Sequence, residues 1–346
     1  MLYERNLPGD FRLLCTHPLA WSLGILLCLH DMPRCFSVQL FARTPVLAYM
    51  ILASGLKDSA PAFEKIQNIQ RIVASILQKP VGQEREVHVA LDAVLDSFPI
   101  AFRGSTQEDA CEFMSHILEV VFDDQHELKF DNRPNAILTL EFTHVLECNC
   151  GDRRETCVEE NMISISITSD QQSSRLSVQE MIARLALKET MDKPVECPKC
   201  KVKATVTKQM LCSKISPLLI VHIKCFDNER RKLFPGIELD RTLSIELIPH
   251  GSVNMALTAV VYHIGPSIKR GHFIIRFQGH GGRWFEADDS AVAAVDGPQL
   301  SRNKTVPYIL VYSHGSQEAI HGALSSALSS LGSGLECFPL IPRNGR

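Results

Sequence analysis

The sequence predicts an α+β fold from three observations. The first third of the chain repeats apolar residues at helical spacing, and from Leu138 to Tyr312 the period changes to that of strands. The run of helices is followed by a run of strands, which argues for an α+β architecture. At 346 residues the chain can bury a substantial core, as one large domain or two modest ones.

The elements run in order. LLCTHPLAWSLGILLCL (13–29) holds no Asp, Glu, Lys or Arg. It is barely long enough to span a bilayer, contains His17 and Pro18, and follows Glu4, Arg5, Asp10 and Arg12, so a buried core helix is expected rather than a membrane span or signal core. PAFEKIQNIQRIVASILQK (61–79), REVHVALDAVLDSF (85–98) and QEDACEFMSHILEVVFDD (107–124) carry helical periodicity. LTLEFTHVLE, MISISIT, TVTKQMLC, LLIVHIK, LTAVVYHI, HFIIRF and YILVY read as strands, some alternating and some continuously apolar. One helical segment, SVQEMIARLAL (177–187), interrupts them. The Ser-, Gly- and Ala-rich tail after Tyr312 has few large apolar residues with which to anchor itself, so a mobile terminus or loosely docked helix is expected there.

Hydrophobic residues make up 45% and charged residues 22%, as in an ordinary soluble globular protein, and the net charge of −3 supplies no electrostatic reason for a nucleic-acid or membrane partner. The twelve cysteines stand singly or in close pairs over a long chain. That pattern favours thiols and metal over disulfides, and so a reducing compartment, cytoplasmic or nuclear.

Cys148 and Cys150 in ECNCGD, and Cys197 and Cys200 in ECPKC, form two close pairs with forty-six residues between Cys150 and Cys197. Four thiolates so paired can surround one tetrahedral Zn²⁺, with Gly151 easing the tight turn of the first pair. Cys157 could substitute for one of them. No cluster of histidines or carboxylates accompanies the thiols, and an all-sulfur site leaves no open position, so the expected role is structural, bracing an insertion too small for its own core. Four unpaired thiols at strand ends are the plain alternative.

His272 follows Gly271 at the start of a strand, and Asp288 comes sixteen residues later, beyond Gly281, Gly282 and Trp284. Two antiparallel strands joined by a glycine turn would bring these ends together, letting an imidazole donate Nδ1–H to a carboxylate. A histidine so oriented can accept a proton from a thiol and return it to a leaving amine. Taken alone, a His and an Asp at hairpin distance are more often surface polar residues.

The surrounding pattern, VVYHIGPSIKRGHFIIRFQGHGGRWFEADDSAVAAV, resembles the histidine box of the ubiquitin-specific protease family of papain-like deubiquitinating enzymes. QEDACEF (107–113), LLIVHIKCF (218–226, with Cys225 where arginine is usual) and VPYILVY resemble further family motifs in the same order, across residues 107 to 312. The resemblance implies a papain-like cysteine protease fold with a helical thumb (1–137), fingers with a zinc ribbon (138–215) and a β-rich palm (216–314), followed by a flexible tail (315–346). It implies that His272 is the general base and Asp288 its orienting partner, with Phe273 in place of the usual tyrosine, and that ubiquitin or a ubiquitinated protein is the partner. Asp109 and Glu112 would face the basic C-terminal tail of ubiquitin, although an acidic first helical turn explains both equally well.

The family's nucleophile box corresponds here to NLPGDFRLLCTHPLAWSLGILLCLHDMP, where only fragments match. With Cys15 as nucleophile, Pro18 falls in the first helical turn, where its missing N–H costs little, but Asp10 takes the place of an oxyanion-stabilising asparagine. With Ser22 aligned to the family's serine, Pro18 falls on the cysteine position and the protein is inactive, and Cys28 lies too deep in the helix to reach substrate. Three functions are therefore open: the first is a deubiquitinating thiol hydrolase with a Cys15–His272–Asp288 triad, the second a ubiquitin-binding module or scaffold without turnover. A zinc-ribbon scaffold unconnected with ubiquitin is the third.

Overall fold

The structure is a computed structural model that describes Thr44, Ala48, Ile69, Gln70, Val73, residues 109–122 and residues 139–314, apart from 172–173, 192, 228, 230, 250, 268–269, 289–290 and 301–302. Ala48, Ile69, Gln70 and Val73 are helical, the last three inside the predicted 61–79 segment. The 13–29 and 85–98 helices, the 315–346 tail, and Asp10, Cys15, Pro18, Ser22 and Cys28 lie outside the described residues. No helix among the described residues is long and apolar enough to cross a membrane.

In chain order the elements are helix α1 (Ala110–Phe122), strands β1 (Leu140–Cys148), β2 (Arg153–Glu160), β3 (Ile163–Ser166) and β4 (Arg175–Ser177), and helix α2 (Val178–Leu185). Three very short strands, β5 (Glu189–Thr190), β6 (Val195–Glu196) and β7 (Lys203–Ala204), precede the longer β8 (Val206–Lys214). The remaining strands are β9 (Leu218–Lys224), β10 (Gly236–Glu238), β11 (Thr242–Leu247), β12 (Gly251–Ser267), β13 (Arg270–Gln278), β14 (Trp284–Asp288), β15 (Ala291–Val295) and β16 (Thr305–Ser313). Among the described residues, α1 precedes the strands and α2 interrupts them, as the periods predict. By internal contacts the chain divides into one unit of residues 1–133, 273–297 and 316–346 and another of 134–272 and 298–315.

In the first unit, α1 begins where a side chain can take over its free amides: Asp109 Oδ1 accepts from the backbone N–H of Cys111 at 2.7 Å and of Glu112 at 3.1 Å. Ala110, Met114, Ile117 and Leu118 return at helical spacing and are buried. The same unit holds an antiparallel ribbon in which β14 pairs with β13, from Gln278 opposite Trp284 to Ile275 opposite Ala287, and with β15 on its other side. Gly281 and Gly282, at φ +71° and +76°, make the turn between β13 and β14, a backbone conformation for which glycine carries no Cβ penalty.

The second unit contains two main sheets. In one, β2, β1, β8 and β5 pair in that order, with β1 antiparallel to both β2 and β8. In the other, β12 pairs with β16, β16 with β9, and β9 in parallel with β3, while β11 flanks β12. LLIVHI of β9 is buried throughout, as is β16 after its first residue. A strand covered on both faces needs apolar residues at every position, which explains these continuous runs. Each fully buried Val, Leu or Ile contributes roughly 1.5–3 kcal/mol, so this sheet dominates the stability of the unit. Helix α2 starts at Ser177, whose hydroxyl accepts from the N–H of Glu180 and donates to Asp240 Oδ2 at 2.9 Å; the Gln179 N–H also donates to Asp240. Val178, Met181 and Ile182 form its buried face.

Candidate active site and metal centre

The four paired cysteines converge. Their sulfurs all lie within 4.8 Å of one another, with Cys148 Sγ 4.0 Å from Cys200 Sγ and Cys150 Sγ 3.6 Å from Cys197 Sγ. A zinc ion with bonds of about 2.3 Å needs sulfur–sulfur edges of about 3.8 Å, so the donor set matches a tetrahedral centre in identity and size. Cys148 ends β1, and the chain then turns through Gly151 at φ +82°, whose N–H donates to Cys148 O at 2.9 Å. The second pair sits on the turn between β6 and β7, closed by Lys201 N–H to Cys197 O at 2.8 Å, with Lys201 itself at φ +59°.

Backbone amides point at these sulfurs. The N–H of Asp152 is the largest influence on Cys150, against burial, and brings its thiol down to about 7; the amides of Cys200 and Lys199 pull Cys197 the same way, but burial and the neighbouring Cys150 and Cys200 sulfurs push its thiol up to about 12. N–H groups directed at sulfur favour thiolates, the ligand form. Cys148 and Cys197 are buried and pack with Val206, Leu146, Met191, Val195 and Ala204, whereas Cys150 stands at the exposed lip. Cys157, the expected substitute ligand, is exposed on β2 with its sulfur 4.0 Å from Thr143 Oγ1, and it takes no part in the cluster. Cys157 stands opposite Thr143, five residues along β1 from Cys148, and so lies away from the turns that carry the other four. Asp152, which sequence pattern did not single out, accepts from the Cys197 thiol at 3.4 Å.

Two of the proposed catalytic residues are described. His272 is the third residue of β13 and is half-buried; Asp288 is the last residue of β14 and is also half-buried. The β13–β14 ladder closes at Ile275 opposite Ala287, three residues after His272 and one before Asp288. Both strands and the glycine turn are therefore as the spacing predicts. Within the ribbon, Nε and Nη2 of Arg276 both donate to Oε2 of Glu286 opposite it, at 2.8 and 2.7 Å, and Nη1 donates to Gly297 O at 3.2 Å, which stiffens β13 and β14 below that closure. Hydrogen bonds between two ionised groups are stronger than those between neutral ones.

In the other unit, the strand leading to the histidine box is held by a lysine that pattern reading missed. Lys232 is 6% exposed, and its ammonium donates to the carbonyls of Gly265 at 2.8 Å, His263 at 3.0 Å and Lys304 at 3.1 Å. All three donors of the ammonium are thereby used. Burial pulls Lys232 down to about 8. Cys225, at the position where arginine was expected, is fully buried, and burial pushes its thiol up to about 12. His263 is 1% exposed, and burial, reinforced by the charges of Lys232 and His272, holds its imidazole neutral with a pKa of about 3.

Asp109 and Glu112 begin α1. The Asp109 carboxylate is engaged as the helix cap, and Glu112 is exposed.

Comparison with known proteins places this arrangement. Residues 36–312 match the family model described as ubiquitin carboxyl-terminal hydrolase. The chain is 25% identical over 241 residues to ubiquitin carboxyl-terminal hydrolase 23 of Arabidopsis thaliana, covering 63% of this chain and 27% of that protein. It is 27% identical over 259 residues to ubiquitin carboxyl-terminal hydrolase 3 of Mus musculus, covering 61% and 49%. The chain thus spans about a quarter to a half of the length of these relatives. Among solved structures, a SAGA DUB module of Ubp8, Sgf11, Sus1 and Sgf73 bound to monoubiquitin matches 81% of this chain and 66% of its own with a TM-score of 0.65 at 19% identity. The same module bound to ubiquitin aldehyde matches with a TM-score of 0.63 at 19% identity, again covering 81% of this chain and 66% of its own. At that identity the structural likeness establishes the fold, an α+β fold of the same kind.

Proposed function

Since the chain belongs to the ubiquitin carboxyl-terminal hydrolase family, we propose that it hydrolyses the bond after the C-terminal glycine of ubiquitin, with Cys15 as nucleophile, His272 as general base and Asp288 as its orienting partner. The observation that carries the proposal is the β13–β14 ladder, whose closing pair leaves His272 just before it and Asp288 just after it. In the proposed reaction Asp288 accepts a hydrogen bond from Nδ1–H of His272 and so fixes its tautomer. Nε2 then takes the Cys15 proton as the sulfur attacks the carbonyl, and returns it to the departing amine. A thioester remains. Water, deprotonated by the same nitrogen, breaks the thioester and frees the ubiquitin carboxylate.

Thumb, fingers and palm, at 1–137, 138–215 and 216–314, are the proposed divisions around this site. The four-cysteine centre of the proposed fingers fits Zn²⁺, which when bound supplies four strong cross-links and no open coordination position. Its contribution is to hold the β1–β2 turn and the β6–β7 turn together. Asp109 and Glu112 are proposed to face the basic tail of ubiquitin.

A second reading, ubiquitin binding without turnover, is favoured by Asp10, whose charge would repel an oxyanion, and by Pro18, which takes the cysteine position when Ser22 is aligned to the family serine. Release of a fluorophore joined by an amide to ubiquitin's C-terminus separates the two. Turnover that falls about 10²–10⁴-fold in His272→Ala, with ubiquitin affinity retained, supports the hydrolase. Ubiquitin binding with no turnover in the unaltered chain supports the binding module.

A further inference from the structure

Gly271, the residue before His272, lies against a buried side chain. A Cβ at position 271 would stand 2.0 Å from Nε2, 2.7 Å from Cε1 and 2.8 Å from Cδ2 of His263. Real Cβ atoms essentially never come so close, so the edge of the His263 ring occupies the space that any side chain at 271 would need. The ring has little freedom to move aside. It is 1% exposed, with the Phe226 ring 6.0 Å away and the Tyr308 ring 6.3 Å away, centre to centre. Its backbone is anchored as well, because Lys232 binds the carbonyls of His263 and of Gly265, two residues on, and ties both to Lys304 at the entrance to β16.

We propose that His263 is a positioning residue for His272: its imidazole edge is the surface against which the Gly271 backbone is laid, and Lys232 fixes that surface in place. The geometry assigns a direction to the effect. Lys232 sets the end of β12, the end of β12 sets the His263 ring, and the ring sets the backbone one residue before the proposed general base. A displacement of that base by about an ångström costs on the order of 10²-fold in rate, so small packing changes at position 263 or 271 reach the chemistry. The inference rests on the reading of His272 as general base only for its consequence on turnover, not for the packing itself.

The test uses the full chain carrying Gly271→Ala, His263→Ala, both together, or Lys232→Met, with two readouts. One is the His272 imidazole resonance by NMR, assigned by its loss in His272→Ala. The other is turnover of the ubiquitin C-terminal amide. Gly271→Ala is expected to move the His272 resonance and to lower kcat about tenfold or more with KM within about twofold. Adding His263→Ala is expected to recover about threefold or more of that kcat and return the resonance toward its original position, since the vacated ring space accepts the new methyl. An unmoved resonance with unchanged kcat in Gly271→Ala, or a double variant no better than Gly271→Ala alone, would overturn the proposal. Should Gly271→Ala not fold, Lys232→Met and His263→Ala decide: an unmoved His272 resonance in both contradicts it, and a shift in both supports it. If the unaltered chain shows no turnover, the hydrolase reading fails while the resonance still reports on positioning.

Discussion

Asp109 illustrates how one residue can carry two explanations that an experiment can part. Its carboxylate accepts two amides at the start of α1, which accounts for its presence without any ligand. Asparagine caps a helix as well as aspartate does but carries no charge, so Asp109→Asn should leave the melting temperature unchanged. If the charge also faces ubiquitin's basic tail, KM for a ubiquitin substrate should rise about twofold to fivefold. An unchanged KM would leave Asp109 as a cap only. His263 yields a second test at this scale. Its folded pKa, about 3, lies below the ordinary value of 6.5 because the ring is buried beside Lys232 and His272. The unfolded chain therefore binds a proton that the folded chain refuses between those values. The stability conferred by a neutral His263 is complete above pH 6.5 and is lost as pH falls toward 3. Urea titrations at stepped pH should show the unaltered chain losing stability faster than His263→Gln below pH 6.5, with a limiting difference of about 1.4 kcal/mol per pH unit. Parallel curves would contradict the assignment.

Among the elements, the strands that sequence pattern reveals are those whose side chains are sorted by burial. LLIVHIK is β9 residue for residue, and TVTKQMLC, LTAVVYHI, HFIIRF and YILVY fall in β8, β12, β13 and β16. RRETCVEE, which forms β2, escapes such reading because it is an edge strand exposed at most positions; its pairing with β1 is a matter of backbone, and its charges face water. Strand β11 was legible in principle, since Leu243 and Ile245 alternate inward between Thr242, Ser244 and Glu246, but TLSIEL has no long apolar run to draw notice. Helix α2 is marked at both levels, by its apolar spacing and by Ser177 at its start. The β6–β7 pair, with two residues in each strand, is too small to stand unaided in water, so the thiol centre should be what holds it. Gently purified protein is expected to contain about one zinc per chain, and Cys197→Ser to lose that metal together with several degrees of melting temperature. Metal-free protein that melts at the same temperature as the metal-loaded form would show that packing around Cys148 and Val206 suffices.

Over the whole molecule, the order of elements, the four converging cysteines and the two strands that carry His272 and Asp288 are legible because each is written as local spacing: C-x-C, C-x-x-C, and a strand–glycine turn–strand. Lys232 and Asp152 are not, because their roles come from residues distant in sequence. Lys232 meets carbonyls thirty-one to seventy-two residues away, and Asp152 meets a thiol forty-five residues away. No periodicity records such meetings. The nucleophile is the remaining step at this scale, since the segment of Asp10, Cys15 and Pro18 departs most from the family's pattern. The most direct measurement is intact mass after incubation with ubiquitin bearing a C-terminal electrophile. One covalent ubiquitin per chain, attached at Cys15 and lost in Cys15→Ala, is the predicted result; a chain that binds ubiquitin yet never acquires that mass would contradict the hydrolase.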